Sequence, residues 1–279
     1  MVYYQTRKII TLIILHTFLI SVALSCIFPF FWMVNVSFKT QSEYDADAGL
    51  ALANSLNWEN YYKVIVEGGF WRYIVNSVIY TFTTVIFIVL VSSLAAFGFS
   101  RLSFPGKNII FFIFLAAMMI PLPAGFVPIY ALLQQLGLLN QIGYIFAMTN
   151  IGLSLSTYLL KTFFDQLPRD LEDAARIDGC NKLQIWWHVG LPLVTPALGV
   201  VVIFNALNVW NEFVLAKLIF TDEKYMPLQA GLMEFTGKMV TQHTLIMTAL
   251  TIAALPIILL YIRMQKQFIK GLTAGAVVG

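Results

Sequence analysis

From Ile9 to Val36 the chain runs without one Asp, Glu, Lys or Arg. Water gives a protein no reason to exclude charge from so long a run, whereas a bilayer does. The hydrocarbon core is roughly 30 Å thick and a helix rises 1.5 Å per residue, so about 20 apolar residues make one crossing. Similar runs follow at 74–99 and 243–262, one at 194–213 carries only Glu212 near its end, and the uncharged stretch from Asn108 to Leu160 is long enough for two crossings with a turn around 137–140. Six crossings is the economical count, placed at 9–34, 74–99, 108–132, 142–163, 194–213 and 243–262. The fold class expected is all-α integral membrane, with the chain as one transmembrane domain, since neither an internal repeat nor a low-complexity tract divides it. Composition agrees: 59% of residues are hydrophobic and 11% charged, against roughly a quarter charged in soluble domains. A signal peptide needs a short apolar core, whereas the first run carries no charge and continues past Cys26 through Ile27 to Val34, which predicts a retained helix.

Basic residues stay on the cytoplasmic side because translocating Lys and Arg is unfavourable. With the N-terminus inside, inner segments hold Arg7, Lys8, Arg101, Lys107, Lys161, Arg169, Arg176, Lys182, Arg263, Lys266 and Lys270. Lys39, Lys63, Arg72, Lys217, Lys224 and Lys238 fall outside, with the acids of 43–67 and Asp222, Glu223 and Glu234. Both termini are then cytoplasmic. The net charge of +3 is small and dispersed, which leaves no footprint for nucleic acid. Cys26 and Cys180 fall in different compartments, and His16, His188 and His243 have no ligand spacing, so neither a disulfide nor a metal site is expected.

The informative stretch is the cytoplasmic loop 164–192. Pro168 is expected to start a helix whose first turn carries Asp170, Glu172 and Asp173 at its positive end, and Gly179 to permit the turn that ends it. A second short helix from Asn181 would place Leu183, Trp186 and Trp187 largely on one side before Pro192 stops it. A mere connection could be short and polar; a helix, turn, helix that presents Ala174, Ala175, Ile177 and Trp186 suggests docking. An amphipathic hairpin resting on lipid headgroups fits the same pattern.

The run Asp173-Ala-Ala-Arg-Ile-Asp-Gly179, followed by Leu191-Pro192 and Pro196, resembles the EAA loop of ABC importer permeases, the coupling element that sits in a groove of the ATPase subunit. Asn57-Trp-Glu-Asn-Tyr61, Trp210-Asn-Glu-Phe213, Met226-Pro-Leu-Gln-Ala-Gly231 and the tail 267–275 are similar to the carbohydrate-uptake branch, the smaller maltose-type permeases. The resemblance implies a type I importer permease fold of six transmembrane helices in a bacterial cell membrane. It also implies ATPase-coupling roles for Glu172, Asp173, Ala174, Ala175, Asp178, Gly179, Leu191 and Pro192. Asp173 stands where the motif has Glu, one methylene shorter, with Glu172 before it, and Cys180 replaces the usual Ala.

No phosphate-binding loop is present, since Pro105-Gly-Lys-Asn108 is only a turn with a lysine. ATP and Mg are therefore expected on a partner ATPase, with no cofactor on this chain and no enzymatic activity of its own. Asn205, Asn208 and Glu212 recur at spacings that put them on one face of the fifth helix, and Asn150, Ser154 and Tyr158 do so on the fourth. Amides, hydroxyls and aromatic faces suit a hydroxyl-rich solute, so these stripes are candidates for the solute path; helix-to-helix hydrogen bonding is the alternative. Pro121, Pro123 and Pro128 are expected to kink the third helix. The predicted assembly is a second permease, an ATPase dimer and an extracytoplasmic solute-binding protein, with a sugar as cargo. A secondary carrier working without an ATPase is the alternative, weakened by spans nearly free of buried charge.

Overall fold

A computed structural model describes residues 2–276, with side chains described for 9–263 and 265. The side chains of Arg7, Lys8, Lys266, Lys270 and the tail 267–275, which bear on orientation and on the resemblance, lie outside the described residues. Among the described residues every regular element is helical. In chain order they are α1 (Val2–Ser37), α2 (Gln41–Asp47), α3 (Glu59–Tyr62), α4 (Phe70–Arg101), α5 (Lys107–Ala116), α6 (Leu122–Gln135), α7 (Gln141–Gln166), α8 (Asp170–Ile177), α9 (Lys182–Ile185), α10 (Leu191–Leu193), α11 (Thr195–Asn211), α12 (Val214–Ile219), α13 (Leu228–Lys238) and α14 (His243–Ala276).

Three segments, Ile9–Ser37, Phe70–Arg101 and His243–Arg263, are long and apolar enough to cross a membrane as single helices. They coincide with the first, second and sixth runs of the sequence. The third run is split. Ile120 precedes Pro121 and is extended at φ −77° and ψ 120°, as the proline ring demands of its predecessor, and the helices on either side are bent by 106°. The fifth run is likewise preceded by an 80° bend between Lys182–Leu193 and Thr195–Asn211. If each bent pair is one span the apolar segments number up to five. The 26 residues of α7 rise about 39 Å, enough to cross by length, but Lys161 and Asp165 make its last turns polar.

The chain forms two compact units, Met1–Phe70 with Leu232–Leu255, and Trp71–Gly231 with Pro256–Gly279. In the first, the Thr40 side chain and Glu43 close a reciprocal capping box on α2. Lys39 is buried, and its ammonium donates to both carboxylate oxygens of Asp47 at 2.9 and 2.7 Å. Asn60 donates to the carbonyls of Ser37 and Lys39, and Asn35 clamps Ala51 and Ala53, so side chains satisfy a segment that has little regular ladder.

In the second unit the core runs along α4, α7 and α11, through Ile88, Phe97, Leu160, Phe164, Ala197 and Val201. Gly152 lets these helices close up: a Cβ there would stand 2.4 Å from Asn205 Oδ1 and 2.4 Å from Ile88 Cδ1. Gly137, at φ +68°, ends α6 in a Schellman turn, with Leu138 N–H donating to Leu133 and Gly137 N–H to Gln134. Asn140 then caps α7 by accepting from Ile142 and Gly143. The far end of α4 is tied by Asn76, which donates to the carbonyls of Lys224 and Met226, by Ser77, which accepts from Leu228 N–H, and by Tyr80, which donates to Tyr225.

Candidate functional site: the helical hairpin 170–193

The hairpin begins two residues after Pro168. Its first helix, α8, carries Asp170, Glu172 and Asp173 in the opening turn and Arg176 in the last, the arrangement that favours its dipole. It ends in a second Schellman turn: Cys180 N–H donates to Ala175 and Gly179 N–H to Arg176. Gly179 sits at φ +86°, where a side chain would be strained although the space around it is open. Asn181 and Gln184 then form a capping box on α9.

Beyond α9 the backbone widens into a π-turn over Trp186–Gly190, and here the structure corrects two expectations. Pro192 does not stop the second helix, which continues through Leu193; Leu191 N–H reaches back five residues to Trp186, and this wide turn accommodates a proline in the next turn. The break comes instead at Val194. Nor do Leu183, Trp186 and Trp187 share a side. Trp186 is buried with Ile185 and Ala175, while Leu183 and Trp187 are exposed.

The hairpin therefore has two faces. Ala175, Ile185 and Trp186 pack inward on the core that includes Phe97, Leu160 and Phe164, with Phe97 and Phe164 meeting edge to face at 5.7 Å. Gly190 approaches Phe164 so closely that a Cβ would stand 3.0 Å from its ring. Outward lie Leu171, Asp173, Ala174, Asp178, Leu183 and Trp187, with Ile177 at the tip 88% exposed. Leu191 is half-buried and Pro192 exposed at the hairpin's base.

The adjacent acids divide between these faces, as a 100° step along a helix allows. Glu172 is buried in an ion pair with Arg101, the two side chains only 10% and 6% exposed. Arg101 also donates to the Leu167 carbonyl at 2.8 Å. Asp173 points outward, with Arg176 on its own helix as its ion-pair partner at 3.0 Å. Of the two acids expected to couple, Asp173 lies on the exposed face and Glu172 on the buried one. Arg101 was missed as a member of the site because, from the sequence, it merely closes an apolar run. Nearby, Ser100 donates to Asp165 at 2.6 Å, Lys161 bonds the same carboxylate, and Lys107 donates to the Ser100 and Leu102 carbonyls.

The two polar stripes separate on inspection. Asn205 is 2% exposed and donates to Ser156 Oγ and to the Val201 carbonyl, both at 2.8 Å, which is the helix-to-helix reading. Glu212 is buried as well, at 8% exposure. Its helix has just ended, and the buried carboxylate accepts from Leu215 N–H at 2.6 Å, Ala216 N–H at 3.1 Å and Tyr144 OH at 3.2 Å. It satisfies the orphan donors at the start of α12. Asn150, Tyr158 and Asn208 are exposed and Ser154 half-exposed, leaving these four on accessible surfaces.

A family model described as a binding-protein-dependent transport system inner membrane component matches residues 65–274. The diacetylchitobiose uptake system permease protein of Streptomyces coelicolor is 29% identical over 93% of this chain and 87% of its own length. The maltodextrin transport system permease protein of Bacillus subtilis is 28% identical over 99% of both. A crystal structure of a bacterial ABC transporter involved in importing the acidic polysaccharide alginate contains a chain that superposes with a TM-score of 0.80. The two are 26% identical, with 91% of this chain and 95% of that one covered.

Proposed function

This chain belongs to the family of inner membrane components of binding-protein-dependent transport systems, and from that premise we propose that it is the permease of an ATP-driven importer for a sugar or oligosaccharide. The cargo class rests on relatives named for maltodextrin and diacetylchitobiose uptake. In this reading the chain crosses the bilayer six times with both termini cytoplasmic, and α7 and the two bent pairs supply the crossings that the three straight spans do not. It pairs with a second permease around one path. Two ATPase subunits, which carry ATP and Mg, seat the hairpins, and an extracytoplasmic protein delivers the solute.

The observation that carries the proposal is the two-faced hairpin. A connection between spans has no need of a packed inner face, an ionic anchor and two capped helix ends, and an outer face tipped by Ile177 would be left bare without a partner. Asp173, Ala174, Asp178 and Gly179 are the outward coupling residues, while Glu172 and Ala175 hold the hairpin from within, with Leu191 and Pro192 at its base. Alternating access needs two packings of similar free energy that the partner can bias. Asn150, Ser154, Tyr158 and Asn208 are the residues in position to meet solute.

The test is co-purification of the tagged chain from its native membrane, compared with Gly179→Pro. Proline holds φ near −65°, incompatible with the +86° of this turn. An ATPase and a second permease should accompany the wild type, and the ATPase should be lost from the variant. A chain that emerges alone in both preparations would refute the importer assembly.

A further inference from the structure

The EAA-type hairpin could only transmit motion if its root were fixed to the spans, and that root contains a buried charge the proposed coupling surface does not use. Arg101 is the last residue of α4. Its guanidinium pairs with Glu172 of α8 and donates to the carbonyl of Leu167, which closes α7. One side chain thus joins the ends of three helices in a site from which water is nearly excluded. The neighbouring bonds of Ser100 with Asp165, and of Lys107 with the Ser100 and Leu102 carbonyls, hold the same corner. For α8 to tilt against α4 or α7, the ion pair would have to separate while still buried, which is far costlier than moving all three together. At its opposite end α4 holds the segment 224–228 through Asn76, Ser77 and Tyr80.

We propose that Arg101 is a positioning residue for coupling: its pair with Glu172 makes α8 move as one body with α4 and α7, so that displacement of the hairpin reaches the segment 224–228 through a single continuous helix. The inference rests on the importer reading above, and its test separates the two.

Nitroxides are placed at exposed Asp170 of α8 and exposed Phe82 of α4, in a chain carrying Cys26→Ser and Cys180→Ala. The whole importer, purified by a tag from its native membrane, is reconstituted in nanodiscs of phosphatidylethanolamine and phosphatidylglycerol. The distance between the labels is measured by pulsed electron resonance without nucleotide and after trapping with ATP, Mg and vanadate. In the otherwise wild-type chain the two distributions should coincide to within about 2 Å, smaller than a one-turn ratchet of about 5.4 Å. Arg101→Gln and Glu172→Gln should each broaden the distribution and make it nucleotide-dependent. They should also lower nucleotide-linked coupling by about 5-fold or more, read as stimulation of ATP hydrolysis by the binding protein. The exchanged pair Arg101→Glu with Glu172→Arg should restore the narrow distribution.

If an ATPase copurifies with the wild type but Arg101→Gln and Glu172→Gln keep the narrow, nucleotide-independent distance, the inference is wrong and the importer reading stands. If both glutamine variants fail to assemble and the exchanged pair does too, the pair serves folding alone and the inference is likewise overturned. If no ATPase copurifies with the wild type, the importer reading itself has failed.

Discussion

Gly152→Ala is a test of how tightly the second unit is built. The added Cβ would stand 2.4 Å from both Asn205 Oδ1 and Ile88 Cδ1, so each must retreat by about 1 Å to regain the 3.4 Å of ordinary contact. Neither is free to do so cheaply: Ile88 is fully buried, and Asn205 is fixed by its bonds to Ser156 and Val201. Overpacking a formed core costs about 1–3 kcal/mol, and disturbing one side-chain hydrogen bond adds about 0.5–1.5 kcal/mol. Together the substitution should destabilise by about 2–4 kcal/mol. With about 2–4 °C per kcal/mol at this chain length, the apparent melting midpoint should fall by about 5–15 °C. The assay is loss of the monodisperse size-exclusion peak after heating, in one detergent at one heating rate, because membrane proteins unfold irreversibly and the midpoint depends on rate. Ile88→Val removes Cδ1, one of the two atoms that would stand at 2.4 Å. In that background the cost of Gly152→Ala should shrink by about 1 kcal/mol, a coupling expected only between residues in contact. A midpoint within a degree of wild type for Gly152→Ala, or strict additivity with Ile88→Val, would refute the three-helix contact.

Glu212→Ala leaves two buried N–H groups and the Tyr144 hydroxyl without their acceptor and should cost about 1–3 kcal/mol, with Glu212→Gln milder because one oxygen remains; equal midpoints for Glu212→Ala and wild type in the same heating assay would remove the capping role. Asp47 is held below its ordinary value of 3.8, first by the hydrogen bond from the Lys39 ammonium and then, against the opposing effect of desolvation, by the Gly49 and Ala51 amides. A depressed carboxylate contributes stability that is present above its unfolded value and lost as pH falls through the folded one. The midpoint difference between wild type and Asp47→Asn should therefore be constant above about pH 5, shrink as pH falls below the unfolded value, and vanish only below the lowered folded value; a difference that stays unchanged through that whole acid range would contradict the pairing. Asn208→Ala lies on an accessible surface and should change stability by no more than about 0.5 kcal/mol while altering the rate or selectivity of uptake across a panel of labelled mono- and oligosaccharides. Unchanged uptake with normal assembly would take Asn208 out of the path.

How far the sequence could be read depended on whether one local rule governed each feature. The apolar runs at 9–36, 74–99 and 243–262 are legible because solvation by lipid acts on every residue alike, and the three straight spans stand where the runs do. The turn at Gly179 is legible because a helix ending in a positive φ needs that residue type, and Asn181 with Gln184 signals the next start equally locally. Pro121 gave the break in the third run, since a proline constrains its predecessor whatever surrounds it. Pro192 misled for the opposite reason: whether a proline stops a helix depends on the turn before it, and the π-turn at 186–190 has no signature among Trp, Trp, His, Val and Gly.

The polar stripes divide between buried and exposed positions because spacing fixes the face of a helix and not what the face meets. Asn205 and Asn208 are three residues apart, yet one finds Ser156 across a helix contact and the other finds open surface. Glu212 is the C-cap of its helix, where the backbone turns extended, so its carboxylate meets the amides that open α12. The same ambiguity governs Glu172 and Asp173. Both are acids in a first turn where the dipole favours either, and local chemistry gives no reason to prefer one for the interior. The choice is made by Arg101, 71 positions before Glu172, brought to the hairpin only by the packing of α4 against α7. Exchanging the order, Glu172→Asp with Asp173→Glu, should weaken the pair with Arg101, because the shorter acid reaches the guanidinium less well, while giving the outward position the longer side chain of the family motif. Loss of the narrow Asp170–Phe82 distance without loss of ATPase binding would show that the inner and outer acids do separate work; loss of neither would show that they are interchangeable.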